Sequence, residues 1–259
     1  MSHPATLPIL LALALAAPGA RAAEIHVMNS GGFASAYQEL APGFERQTGH
    51  KLAAVYGPSM GETPGAIPNR LARGEAADVV IMARSALDAL VSAGRVRKGS
   101  EVDLVRSRIG LAVKAGAPRP DISSVEGLKR TLLSARSIAY SDSVSGAYVA
   151  KELFARLGIA GEVASRCRMI PATPVGLIVA RGEAEVGFQQ ISELLPIAGI
   201  QVVGPIPDAV QKVTVFSAGI TTKAQSPEAA RRLIDYLASR QAWPAIRRSG
   251  LQPVSEPDR

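Results

Sequence analysis

Ser141-Asp142-Ser143-Val144-Ser145-Gly146-Ala147-Tyr148 is the stretch on which the reading of this chain turns. A short strand-like run, Ser137-Ile138-Ala139-Tyr140, leads into it. A helix follows it, with apolar residues at Val149, Leu153, Phe154 and Leu157, the spacing of one helical face. Gly158 stands where a helix-ending glycine is expected. Strand, polar turn and helix in this order gather three serine hydroxyls, a flexible glycine and the unpaired N–H groups of a helix start at one strand end. A helix start attracts anions through those N–H groups and the positive end of its dipole. One serine at such a place is accounted for by N-capping. Three exceed what a cap needs.

The same strand–loop–helix grammar extends on both sides. Glu24–Met28 reads as a strand, Asn29-Ser30-Gly31-Gly32 as a turn of small polar residues, and Phe33, Tyr37, Leu40 and Phe44 as the apolar face of a helix that stops near Gly49. Lys51–Tyr56 is a second strand, and residues 57–65 form a long loop with Ser59, Met60 and Thr63 before a helix over 66–73. Ala77–Met82 is a third strand, followed by a helix over 86–93. Beyond Ser107–Val113, read as one strand leading out of this first unit, the pattern repeats. It runs through a helix near Leu128–Leu133, the Ser141 loop, a strand at Arg168–Ile170, a helix over Val175–Arg181 opened by Thr173, and strands at Ala184–Phe188, Gln201–Pro207 and Val213–Ala218. The last helix, Pro227–Ser239, has Ser226 as expected N-cap and Pro227 at its first position. Alternation of this kind predicts an α/β fold with parallel strands, and ligands in such sheets sit at the carboxyl ends of the strands.

Composition narrows the class. The chain has 259 residues, 47% of them apolar, enough for one large domain or two modest ones. The apolar run over 7–17 is too short to span a bilayer. It is followed by Ala20-Arg21-Ala22, so residues 1–22 read as a cleavable signal peptide and the protein as a periplasmic one. No cysteine lies near the cleavage site, which argues against a lipid anchor, and the lone Cys167 cannot form an internal disulfide. Net charge is +7, but the basic residues are scattered and aromatics make up only 4%. Nucleic acid is therefore not the expected partner. A basic surface suits attraction of a small anion, or is simply a solvated face.

Several stretches together resemble the periplasmic molybdate-binding protein family, within the type II solute-binding proteins of ABC importers. They are Gly74-Glu75-Ala76-Ala77-Asp78-Val79, Ser145-Gly146-Ala147-Tyr148 with Leu157-Gly158-Ile159, Arg181-Gly182-Glu183-Ala184-Glu185-Val186-Gly187-Phe188, and Pro227-Glu228-Ala229-Ala230 through Gly250-Leu251-Gln252-Pro253. The resemblance implies a two-lobed fold with two crossing strands as hinge and the ligand in the cleft between lobes. Lobe one would hold 24–106 plus 218–259, and lobe two 107–217. It also implies a permease in the membrane as partner, a monomer, no cofactor, and a binding protein rather than an enzyme. The site departs from the family's pattern. Gly32 falls where the family carries a serine, with Ser30 two residues earlier, and Gln189 and Gln190 stand around the family's tyrosine position. Amides both donate and accept, so they suit an organic ligand with oxygens and hydroxyls. A small carboxylate is expected at least as readily as molybdate or tungstate.

The candidate ligand residues are Ser30, Gly31, Gly32, Ser59, Met60, Arg84, Ser143, Ser145, Tyr148, Thr173, Gln189 and Gln190. Arg84 follows the third strand and is the one cation placed to pair a carboxylate, though a surface arginine is the favoured reading. Tyr148 either points into the cleft or packs beneath it. An exported small-ester hydrolase is the alternative from another class. It would need a nucleophile with a positioned base. There is no Gly-x-Ser-x-Gly elbow, and only His26 and His50 lie beyond the signal segment.

Overall fold

The computed structural model describes residues 22–256, so the expected signal segment, all but Ala22, lies outside the described residues. The first half of the chain runs β1 (Glu24–Asn29), α1 (Gly31–Thr48), β2 (Lys51–Tyr56), α2 (Ile67–Ala72), β3 (Val79–Ala83), α3 (Arg84–Ser92) and β4 (Val102–Ser107). It then passes to β5 (Ile109–Lys114), α4 (Val125–Ser134), β6 (Ile138–Ser141), α5 (Val144–Tyr148), α6 (Phe154–Arg156), α7 (Ala160–Val163), β7 (Cys167–Ile170), α8 (Val175–Ala180), β8 (Val186–Gln190), α9 (Ile191–Leu194) and β9 (Ile200–Pro205). It closes with β10 (Thr214–Ile220), α10 (Pro227–Ala238), α11 (Trp243–Arg248) and β11 (Gln252–Pro253).

Two sheets result, one per lobe: β11-β4-β10-β3-β1-β2 and β7-β6-β8-β5-β9. The alternation predicts parallel strands, and β1 with its neighbours β2 and β3, and β6 with β7 and β8, are parallel. The rest are not. β10 runs antiparallel to β3 and β4, and β5 antiparallel to β8 and β9. The reason lies in the crossings: β5 leaves β4 with only Arg108 between them, and β10 returns after residues 211–213, so each enters its sheet without the crossover helix that a parallel strand requires. The run expected as a single strand over 107–113 is thus the junction of two strands in two sheets, and the return into the first sheet comes at Thr214 rather than at 218.

The helical face read at α1 is the first lobe's core. Phe33, Tyr37, Leu40 and Phe44 are buried against Ile25, Val27, Val79 and Ile81 of the sheet and Leu233 and Leu237 of α10. Each such side chain contributes about 1.5–3 kcal/mol relative to exposure. The second lobe has its own core, in which Leu111, Leu128, Ile138, Val149, Leu153 and Phe188 meet. Gly49 and Gly158 end their helices with φ of 75° and 67°, the left-handed region that a glycine enters without strain.

Asp78, at the start of β3, ties the first lobe together. Its Oδ2 accepts from the His26 N–H at 2.8 Å, and its Oδ1 from the Gln225 and Ser226 N–H groups at 2.7 and 3.0 Å. The start of α10 is therefore held by Asp78, and Ser226, the expected N-cap, makes no side-chain cap bond. Asp78→Ala leaves three N–H groups without their acceptor. The expected loss is about 2 kcal/mol, read as a lower urea midpoint with unchanged slope.

Candidate functional site

The carboxyl ends of β1 and β6 face each other across the lobes, and the turns that follow them line a cleft of about 210 Å³. The lining comprises Ser30, Gly31, Tyr56, Gly57 and Pro58 from the first lobe and Ser141, Asp142, Ser143, Ala172, Thr173, Pro174, Gln189 and Glu193 from the second. That volume lies below the roughly 300–1,000 Å³ typical of drug-sized pockets, so the occupant is a small molecule. A larger hollow of about 650 Å³ lies on the second lobe around Arg108, Arg119 and Asp208. Its arginines are already engaged, Arg108 by Asp208 and Arg119 by the Val203 carbonyl, and its acid Asp208 is exposed.

Each lining group is set by its element. Ser30 precedes α1, and its N–H donates to the Ile81 carbonyl at 2.7 Å. Ser59 lies beneath it: its hydroxyl accepts from the Ala83 N–H at 3.0 Å and donates to Ser30 Oγ at 2.9 Å. With Ser30 Oγ already accepting from below, its own proton is free to point into the cleft. Ser143 precedes α5 without making a cap bond, so its hydroxyl is not tied to the helix. Gln189 Oε1 accepts from the Val175 N–H at 2.8 Å, which turns the amide nitrogen toward Glu193.

Glu193 is the residue that sequence reading missed. It stands in the first turn of α9, partly exposed to the cleft. Burial of the carboxyl pushes its pKa up to about 7, with the Asp142 charge adding to the rise, while hydrogen bonds from the Gln189 side chain and the Gln190 N–H oppose it. The Gln190 contact is the reach-back half of a capping box, since Gln190 precedes α9 and Glu193 is its third residue. A capping role alone does not call for an acid near neutrality at the floor of a cleft. A carboxyl with a pKa near 7 can both take up and release a proton at physiological pH.

The other candidates lie elsewhere. Gly32 is packed under the Phe216 ring, which a Cβ would overlap. Ser145 is buried with its Oγ 3.3 Å from Ser141 Oγ, supporting the turn from below. Tyr148 packs into the second lobe, where its hydroxyl donates to the Val210 carbonyl at 2.5 Å and accepts from Arg156 at 3.0 Å. Arg84 is engaged by Asp88 and Asp103, each at 2.7 Å, and its surface reading holds. Gln190 donates to Thr214 Oγ1 at 3.0 Å across the lobe junction. Met60 is exposed and does not line the cleft. Ser30, Gly31, Ser143, Thr173 and Gln189 are the candidates that the structure brings together, with Ser59 supporting Ser30.

Comparison with known proteins agrees with the two-lobed fold. The periplasmic molybdate-binding protein of Azotobacter vinelandii superposes with a TM-score of 0.70 at 20% identity, over 90% of this chain and all of that one. The curated molybdate-binding protein ModA of the same organism is 25% identical over 94% of this chain and 96% of its own length. A much nearer relative, named aconitate isomerase, from a Pseudomonas species, is 54% identical over 228 residues, 88% of this chain and 87% of that protein. An isomerase is an enzyme, so the expectation that the chain is not one is overturned. That expectation followed from the resemblance to binding proteins and from the absence of a nucleophile with a positioned base, whereas an isomerisation by proton transfer needs no nucleophile. The sequence profile of the bacterial extracellular solute-binding proteins matches residues 25–252, and this chain belongs to that family.

Proposed function

We propose that this protein isomerises aconitate, a six-carbon tricarboxylate built on a propene backbone with one C=C bond, in the cleft between its lobes. The observation that carries the reading is the Glu193 carboxyl, raised to about 7 at the cleft floor, beside hydroxyl donors suited to carboxylates. The nearer relative's name supplies the substrate. The sequence-based expectation of a small carboxylate, at least as readily as molybdate, is compatible with it.

The chemistry requires a proton shift and no co-reactant. In aconitate the methylene carbon lies next to the double bond and carries a carboxylate, so its C–H is the acidic one. Ionised Glu193 takes that proton, and the C–H electron pair enters the three-carbon system. The double bond migrates, and Glu193 returns the proton to the carbon at the other end. The orientation in which the former methylene carboxylate is held decides whether the new double bond is cis or trans. Charge developing on the carboxylates meets the hydroxyls of Ser30, Ser143 and Thr173 and the start of α1 at Gly31, fixed donors placed before the reaction begins. Lobe closure about residues 107–109 and 211–214, export through residues 1–22 and hand-over to a membrane permease belong to the same proposal, with turnover as its core.

The test follows trans-aconitate with purified residues 23–259 by proton NMR. Appearance of cis-aconitate, with solvent deuterium entering the methylene position in heavy water, is the expected result. Stoichiometric binding without turnover would leave a carrier and overturn the reading.

A further inference from the structure

Gly31 takes ordinary helical backbone as the first residue of α1, so its conformation does not call for glycine. Its neighbour across the lobes does. A Cβ built at Gly31 would overlap Glu193 Oε1, with the carboxyl carbon at 3.2 Å and Cγ at 3.6 Å. The carboxyl of the second lobe thus rests against the first turn of the first lobe's longest helix. The backbone of α9 is fixed on both sides of this contact. Ser192 Oγ donates to the Gly32 carbonyl at 2.8 Å, and Ile191 and Leu195 pack against Gly250, where even a Cβ would lie 2.7 Å from Leu195 Cδ1. With α9 pinned to α1 and to the Gly250 turn, any group added at Gly31 displaces the tip of Glu193 and leaves the helix in place.

We propose that Gly31 is a positioning residue for the isomerisation: a hydrogen in place of Cβ lets the Glu193 carboxyl seat on the start of α1, so that the two lobes hold the base jointly. The proposal rests on the isomerase reading. A binding site on this scaffold has no use for a bare position here, since a small side chain at a helix start leaves the N–H groups in place. A site that must move a proton at one carbon has a use for it, because the base has to sit where its oxygen meets the methylene.

The test is Gly31→Ala, which suits a helix start and collides only with a flexible side-chain end. Displacing the base by about an ångström is expected to lower kcat roughly a hundredfold, with KM held within about fivefold. In the Glu193→Asp background, one methylene shorter, the same substitution should cost no more than about threefold, since the carboxyl carbon then stands where Cγ is, 3.6 Å from the added Cβ, in ordinary contact rather than overlap. A second readout needs no substrate: carbon-13 titration of Glu193 in the free protein, whose midpoint should fall toward the ordinary carboxylate range in Gly31→Ala as the carboxyl is pushed into the open cleft. If wild-type protein fails to turn over aconitate, the functional reading fails while the titration still judges Gly31. Unchanged kcat in Gly31→Ala, or an unchanged Glu193 midpoint, overturns the proposal.

Discussion

Glu193→Gln is expected to lower aconitate turnover by about a thousandfold, in the range that a positioned general base supplies, while aconitate still binds. The amide occupies the same space and can still accept from the Gln189 side chain and the Gln190 N–H, so the capping box of α9 survives. What is lost is the ability to hold and return a proton. A carboxyl whose only task was capping would show no such split between binding and turnover. In the wild type, kcat/KM should rise with pH and level off above a midpoint near 7, because the base must be ionised to take the methylene proton. Stability moves the opposite way. The folded pKa of about 7 stands above the ordinary value of 4.5, so the native state binds the extra proton between those values and loses stability as pH rises through that window. At pH 8 the wild type carries an ionised, partly buried carboxylate, and the Gln variant does not. The variant should therefore melt several degrees higher at pH 8, on the order of 1–3 kcal/mol, with the gap closing by pH 4. Turnover within tenfold of wild type in the Gln variant would remove Glu193 from the mechanism.

Much of the fold was legible because periodicity and turn glycines report local geometry. The apolar faces of α1, α10 and the helix after Ser143 are the buried ones, and Gly49 and Gly158 end their helices as the pattern requires. The lobe junction was not legible. Ser107-Arg108-Ile109 carries no Gly or Pro to mark a break, because the chain runs straight from one sheet into the next, so two strands read as one. The site was half legible for a related reason. Hydroxyls and glycines at strand ends can be recognised from spacing alone, and Ser30, Gly31, Ser143, Thr173 and Gln189 do line the cleft. Arg84 and Tyr148 have the right chemistry, but partners distant in sequence, Asp103 and Val210, hold them elsewhere. Glu193 sits in the first turn of the short helix α9, directly after β8, where an acid reads as an ordinary helix-start residue. What distinguishes it is the desolvation and the contact with Gly31, a residue far off in sequence in the other lobe, and neither is visible from its neighbours in sequence. A signal did exist: an acid three residues beyond a strand's carboxyl end, next to the glutamines already marked.

Gly146→Ala is expected to have the largest effect on stability, a loss of about 4 kcal/mol, at the upper end for single substitutions. The sequence presents Gly146 as the flexible member of the Ser141 loop. In the structure it is a helical residue of α5, and its importance is close approach. A Cβ there would overlap the Ser141 carbonyl group and come within 2.9 Å of the Ser141 N. Every obstacle is backbone, so no side chain can swing aside, and Ser141 is the last residue of β6, an interior strand of its sheet, where it pairs with Ile170 of β7. The turn can relieve the overlap only by lifting α5 off the sheet or by breaking the end of β6. Either change moves Ser141, Asp142 and Ser143, the second lobe's rim of the cleft, so stability and turnover should fall together. Gly161→Ala is the matched control: it also lies in a helix, nothing stands within 4 Å of its Cβ, and Ala should be neutral or slightly stabilising. Thermal melts of the two variants decide the point. At about 2–4 °C per kcal/mol for a chain of this size, Gly146→Ala should melt roughly 8–16 °C below Gly161→Ala. Equal melting temperatures would mean that the strand end yields freely and that the glycine serves the loop's flexibility after all.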